Sequence, residues 1–294
     1  MSVAGHLLAL ALVLADVLAR GARLRAPLRA FGSPLSLRHV VAVQLVGEAA
    51  GTVTPGRVGS DPARLLRLRG HGVPVAVSWS SFAVENAVEA LLLLVVAVVL
   101  VVLPGQRLLA GALAAYAVCV LALWLGGLAA GRSLGSRPPG WWTRAGLRAA
   151  RWDRARRTGR GLRALGGLHR GVAGVAIPAS MVRVATRAAL LPVLLSTTPW
   201  RRPDLAVWSL LLCYLGAAAP VPGALGVVEA GVWLGAGGEA AFAPALLLWW
   251  RVYSSYGPAL AGAGIAVLTS RAFRPRAAAA RISRRRRRVT AVLG

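Results

Sequence analysis

The sequence predicts an all-α polytopic membrane protein, with about six spanning helices and two re-entrant hairpins whose Pro-Gly tips enter from opposite faces. Three observations predict it. Of 294 residues, 57% are hydrophobic and the mean hydropathy is +0.64, with several apolar runs near the roughly 20 residues a spanning helix needs. All 35 basic residues are arginine, gathered between the apolar runs and in the tail, as the positive-inside rule requires. Finally, two apolar stretches, Val41 to Gly59 and Leu210 to Gly235, are each broken at the centre by a Pro-Gly turn. Paired breaks of this kind in two halves of a hydrophobic chain point to a midplane site of the transporter type.

The first apolar run, Val3 to Ala19, has no basic segment before it, contains Asp16 and is followed by arginines. It therefore predicts a spanning helix that enters the cytoplasm at Arg20, not a cleaved leader. Arg20, Arg23, Arg25, Arg29 and Arg38 then mark a cytoplasmic loop. The next segment, Val40 to Ala50, is short and carries Gln44, Gly47 and Glu48. Beyond its Pro55-Gly56 break come Arg57, Arg64, Arg67 and Arg69. With arginines on both flanks, the segment is expected to enter from the cytoplasm and turn back, which a membrane permits only under cover of protein or a watery cavity.

Spanning helices are predicted over Val77 to Leu103 and Leu108 to Gly131, joined by a short outer turn. The loop from Arg132 to Arg170 follows, with eleven arginines against Asp153 and with Trp141, Trp142 and Trp152 among them. It suits either an interfacial segment on anionic headgroups or a solvated basic loop. A helix from Val172 to Ser196 returns to the outside, and Leu205 to Ala219 heads inward to the second break, Pro220 to Gly223. Gly231 and Gly235 then offer a small-residue packing face. The last helix, Ala243 to Leu268, ends inside. Residues 1–270 are thus read as one transmembrane domain, containing the basic cytoplasmic loop 132–170. Residues 271–294 are read as an arginine-rich cytoplasmic tail without fixed structure.

The net charge of +26 does not indicate nucleic acid, because its placement is topogenic. A GC-rich genome accounts for the choice of arginine, and the alternative is its two-pronged fit to phosphate. Cys119 and Cys213 lie in apolar runs, and His6, His39, His71 and His169 are scattered, so no disulfide, metal or cofactor is expected. No soluble-enzyme motif is present, and none of the runs leaves room for a catalytic domain.

Four acids in apolar segments are the candidate site: Glu48, Glu85, Glu89 and Glu229. Each costs about 2.5–3.5 kcal/mol to centre in a membrane. Glu85 and Glu89 are four apart and share a helix face, where each carboxylate raises the other's pKa and protonation of one at neutral pH is favoured. Arg183 and Arg187, on one face of their helix, and Arg251 are the expected partners. Two readings compete: ion pairs that fix helix register, or arginines that hold a lipid phosphate beside acids lining its headgroup path. The tips add Thr54, Pro55, Gly56, Arg57 and Gly59 in the first break and Pro220, Pro222, Gly223 and Gly226 in the second. These form the expected gate, with half-helix ends suited to anions.

The run Gly47-Glu48-Ala49-Ala50-Gly51-Thr52-Val53-Thr54-Pro55-Gly56-Arg57-Val58-Gly59, with Arg64, resembles the first signature of the lysylphosphatidylglycerol synthase transmembrane (flippase-like) family. Val221-Pro222-Gly223-Ala224-Leu225-Gly226-Val227-Val228-Glu229 is similar to its second signature. Trp250-Arg251 with Pro258 and Gly262 resembles its last helix, and Glu85 to Glu89 its acidic helix start. The resemblance covers nearly the whole chain. It implies a membrane domain that moves lipids with modified headgroups between leaflets. Well-known members fuse this domain to a cytoplasmic aminoacyl-transferase; here the membrane part alone is expected, without lysyl transfer. The family commonly begins with one more helix, so a helix ahead of Met1 is an open alternative.

The expected function is passive or ion-coupled translocation of an anionic phospholipid or a polyprenyl-phosphate-linked lipid across the plasma membrane, with the C-terminus in the cytoplasm. The alternatives are a non-transporting partner of a cell-envelope glycosyltransferase or lipid-modifying enzyme, and an intramembrane enzyme acting on a lipid phosphate.

Overall fold

The computed structural model describes residues 2–102, 107–133, 170–195, 206–210, 213–214 and 244–269. Among the described residues the chain is helical and contains no strand. The first helix, α1, spans Val3–Ala30 and begins at Ser2, whose hydroxyl accepts a hydrogen bond from the Gly5 N–H at 3.1 Å. This cap satisfies one of the donors left open at a helix start. The helix does not stop at Arg20: the expected loop is confined to residues 31–36. Arg20 and Arg23 are buried on its inward face, where acids from other helices meet them. An arginine at that depth marks an ion pair and not the membrane edge.

The first Pro-Gly break is a helical hairpin. Its arms are α2 (Leu37–Val53) and α3 (Ser60–Gly70), about 25 and 16 Å long at 1.5 Å per residue. Thr54 fastens the turn: its hydroxyl donates to the Ala50 carbonyl at 2.8 Å and accepts from the Gly59 N–H at 2.9 Å. Gly56 and Arg57 both take left-handed backbone, with φ of 56° and 55°, which is uncommon for a residue with a side chain. The arms lie close because Gly47 and Gly51 line the seam. A Cβ at Gly47 would overlap the stem of Arg64, and one at Gly51 would lie 3.3 Å from Ser60 Cβ. This is the small-xxx-small device of membrane helices, here within one hairpin.

The remaining elements are α4 (Val75–Val102), α5 (Arg107–Ser133), α6 (Arg170–Leu194) and α7 (Pro244–Arg251). From α7 the chain passes through one π-helical turn, Val252–Tyr256, into a helix over 257–269. Three helices among the described residues, α1, α4 and α6, are long and apolar enough to cross a membrane, and α5 carries a shorter apolar stretch, Ala110–Leu123. Six spans were expected. Most of the second break, with Pro220, Pro222, Gly223, Gly226 and Glu229, lies outside the described residues, as do most of the basic loop and the arginine tail.

Helix α1 packs along α6, α4 along α5, and the hairpin arms on each other and on α1 and α4. Leu24, Leu28, Val40, Val43, Leu68, Val73 and Phe82 form the apolar lock between α1, the hairpin and the start of α4. The last helix crosses α2 so closely that a Cβ at Gly262 would overlap the Leu45 carbonyl. At the open end of the hairpin, the His39 and His71 rings are 4.8 Å apart. Burial, the neighbouring His39 and then Arg67 lower the pKa of His71. The outer surface is apolar, with Leu7, Leu10, Leu14 and Leu18 of α1 and Val95, Val98, Val99 and Val102 of α4 exposed. Charge is inside instead, as in a protein solvated by lipid.

Candidate functional site

Every helix from α1 to α4, together with α6, contributes a charged side chain to one buried network. Helix periodicity places them. Asp16 and Arg20 are one turn apart on α1, Glu85 and Glu89 on α4, and Arg183 and Arg187 on α6, so each pair presents one inward face. The hairpin adds Gln44 and Glu48 from α2, Arg57 from the tip and Arg64 from α3.

Glu85, only 1% exposed, is the hub. It pairs with Arg64, accepts from the Gln44 amide at 2.8 Å and lies 3.4 Å from Arg23 Nε. Gln44 also donates to the Arg20 carbonyl at 3.2 Å, which ties α2 to α1. The Arg64 guanidinium lies 4.1 Å over the Phe82 ring, a cation–π contact strengthened by burial.

Glu89 accepts from Arg23 Nη1 and from the Tyr214 hydroxyl, both at 2.5 Å. Arg183 Nε lies 2.7 Å from the same carboxylate, close enough for an ion pair but off-line for a hydrogen bond. Glu85 and Glu89 therefore share Arg23, while Arg64 serves Glu85 and Arg183 serves Glu89. Glu48 accepts from Arg20 Nη1 at 2.8 Å and lies 2.7 Å from Arg57 Nη2. Asp16 is 2.8 Å from Arg20 Nη2 and 3.8 Å from Arg187 Nε.

Within this network, six guanidinium groups (Arg20, Arg23, Arg57, Arg64, Arg183 and Arg187) meet four buried carboxylates. A fifth acid, Asp61, sits half-exposed at the rim, 2.9 Å from Arg64. Among the described residues the imbalance is local. Around Glu85 and Glu89, the three arginines 23, 64 and 183 face the three acids 61, 85 and 89. Around Asp16 and Glu48, Arg20, Arg57 and Arg187 outnumber the acids by one. Arg57 is the most accessible of these, with its side chain 27% exposed.

Among the described residues, cavities adjoin the network on two sides. One, of about 360 Å³, lies between α3, α4 and α5 and is lined by Asp61, Trp79, Asn86, Glu89 and Tyr116 together with apolar side chains. The other, about 20 Å³, is walled by Asp16, Thr186, Arg187, Tyr253 and Ser254, room for about one water. The π-turn brings Tyr253 and Ser254 there, and Tyr253 also meets His6 Nδ1 at 3.1 Å.

Of the residues singled out by sequence, Glu48, Glu85, Glu89, Arg183, Arg187 and Arg57 come together. Arg251 is buried at the end of α7, and Glu229 lies outside the described residues. Sequence reasoning missed Asp16, Arg20, Arg23 and Arg64, having assigned the arginines to loops. The i, i+4 spacing of Asp16 and Arg20 inside a hydrophobic run was the signal that could have found the first two.

The sequence matches the family model described as lysylphosphatidylglycerol synthase TM region over residues 1–262. The chain belongs to this family. No curated protein and no solved structure matches it. The family is one of membrane domains, and the span-like helices α1, α4 and α6 agree with it. The protein is accordingly a multi-pass integral membrane protein.

Proposed function

We propose that this protein moves an anionic lipid, or the phosphate-bearing headgroup of a lipid-linked glycan, between the leaflets of the plasma membrane, and that it does so as a carrier and not an enzyme. The observation that carries the reading is the local excess of guanidinium, among the described residues, at Arg20, Arg57 and Arg187 within an apolar-coated bundle. A buried unbalanced cation is expensive, and a phosphate is the lipid group that completes its charge through paired hydrogen bonds.

In this reading the α2–α3 hairpin is re-entrant, the second Pro-Gly break supplies the opposing hairpin with Glu229, and the two tips gate the path. Arg57 at the first tip meets the phosphate first, and Arg187 receives it. Glu48, Glu85 and Glu89 keep the arginines in register and contact the headgroup. Arg251 lies on the same path. The tail faces the cytoplasm.

Flux of fluorescent phospholipids and of a polyprenyl-phosphate sugar in proteoliposomes tests this. Arg57→Gln and Glu229→Gln should each cut flux at least about tenfold in folded protein. Wild-type flux in both variants would remove the site assignment. A second reading has its own support, because every buried carboxylate of the network already has an arginine beside it, as a structural scaffold would require. Folded protein that moves none of these lipids but co-purifies stoichiometrically with a cell-envelope glycosyltransferase would favour that accessory role.

A further inference from the structure

The smaller cavity, of about 20 Å³, is walled by Asp16, Thr186, Arg187, Tyr253 and Ser254. It borders the half of the network that, among the described residues, carries one guanidinium in excess. Two of its wall residues hold buried atoms with no hydrogen-bond partner among the described residues: Arg187 Nε, a donor, and Asp16 Oδ1, an acceptor. They stand 3.8 Å apart, too far to serve each other. Arg20 and Arg183 each have a carboxylate oxygen within 2.8 Å. Arg187 has none so near among the described residues, and the charges of Arg20 and Arg183 oppose its own. Arg187 is the least compensated cation of the group.

Size and charge narrow the ligand. The cavity admits one water-sized body, which excludes phosphate, sulfate and any lipid headgroup while it keeps this shape. A cation would face Arg20 and Arg187 with only Asp16 in return. A water would satisfy the orphaned atoms and leave the buried charge unbalanced, which is expensive. A halide is a single atom little larger than water, and it removes that surplus. The wall supplies its donors. Arg187 Nε–H is one, and the Ser254 hydroxyl, 3.4 Å from Ser255 Oγ, can turn to be another. The Tyr253 hydroxyl is a third when His6 Nδ1 donates across their 3.1 Å contact. The Thr186 hydroxyl is spent on the Arg183 carbonyl. Tyr253 and Ser254 come from the π-helical turn, a distortion that is frequent at functional sites.

We propose that this cavity is a binding site for a small monovalent anion, chloride or another halide, which balances Arg187 until a larger anion replaces it. The exchange step rests on the carrier reading above; occupation of the site by a halide does not. A phosphate can reach Arg187 only when the halide leaves and the wall opens.

The test is thermal unfolding of the intact protein in detergent, in sodium chloride, bromide, sulfate or gluconate at equal ionic strength. Chloride and bromide should raise the melting temperature saturably, by about 3 °C at ten times the half-saturating concentration. A general salt effect has another order, with sulfate the most stabilising and no saturation. Arg187→Gln and the milder Ser254→Val should each weaken the halide response at least about fivefold. Asp16→Asn raises the local surplus from one to two and should bind bromide at least about tenfold more tightly, which loss of a structural contact would not produce. No difference between chloride and gluconate, an unchanged halide response in both Arg187→Gln and Ser254→Val, or weaker bromide binding in Asp16→Asn would overturn the site. The result is separable from transport. Halide binding without lipid flux retains the site and removes the carrier, whereas flux from protein indifferent to halide does the reverse.

Discussion

Glu85→Gln exchanges one oxygen for an NH2 group and removes one buried charge where α1, α2, α3 and α4 meet. The cost can be worked from its partners. Arg23 keeps Glu89 at 2.5 Å, so it stays compensated. Arg64 keeps only Asp61, which is 38% exposed at the rim, and its charge becomes partly orphaned. The amide oxygen left at position 85 can accept from Gln44 while the new NH2 group turns toward Arg64, and Gln44 retains the Arg20 carbonyl at 3.2 Å. Breaking a buried pair from one side costs about 3–5 kcal/mol. With Arg23 still paired and Arg64 half-compensated, Glu85→Gln should fall near the lower bound, about 3 kcal/mol. Arg64→Met should cost a similar amount by leaving the hub one guanidinium short. The double variant Glu85→Leu/Arg64→Met removes both charges and should recover most of the loss of its two component singles, Glu85→Leu and Arg64→Met, because apolar replacement of a whole buried pair is commonly neutral or stabilising. Unfolding in detergent followed by circular dichroism, arranged as a double-mutant cycle, measures the coupling. Single-variant losses below about 1 kcal/mol, or additive losses in the double variant, would refute the view that Glu85 and Arg64 form a dry, mutually dependent pair.

Two further predictions concern the hairpin. Arg57 combines left-handed backbone with an ion pair to Glu48, so Arg57→Ala should lose the pair and keep the strain, while Arg57→Gly loses the pair and relaxes the backbone. The glycine variant should be the more stable by about 1 kcal/mol, and equal melting points would contradict the left-handed tip. At the open end, His71 faces His39 and Arg67, and its pKa is lowered from an ordinary value of 6.5. A histidine held neutral in the fold contributes fully above the unfolded value. That contribution declines as pH falls below about 6.5 toward the folded value. Hydrogen exchange at the hairpin ends should accelerate over that window in wild type and less so in His71→Gln. An identical profile in the variant would exclude His71 as the cause.

What the sequence disclosed and what it hid follow from one physical ambiguity. Apolar periodicity and length placed α4, α5 and α6 near their observed bounds, since bilayer thickness fixes the length of a spanning helix. The first break was legible because Pro55-Gly56 cannot continue a helix. The span of α1 was not. Arginines end a membrane helix when they face headgroups and extend it when they face carboxylates, and one chain read alone does not show which. Arg20 and Arg23 belong to the second kind because Glu48, Glu85 and Glu89 arrive from 28 to 66 residues away. Arg64 was hidden for the same reason, its partner lying 21 residues on.

The placement of charge also bears on why the network exists. A purely structural bundle of this size could join α1 to the hairpin and α4 through contacts like those of Leu24, Val43, Leu68 and Phe82, which need no desolvation of ions. The buried charges are instead arranged in two unequal halves. The half at Glu85 and Glu89 is balanced, dense in hydrogen bonds and beside a cavity. Among the described residues the half at Asp16 and Glu48 carries one guanidinium in excess, and its most accessible member, Arg57, sits on a strained tip. Register alone asks only for balance. Because the surplus sits at the point where backbone strain and exposure coincide, it is the feature on which the proposed carrier reading rests.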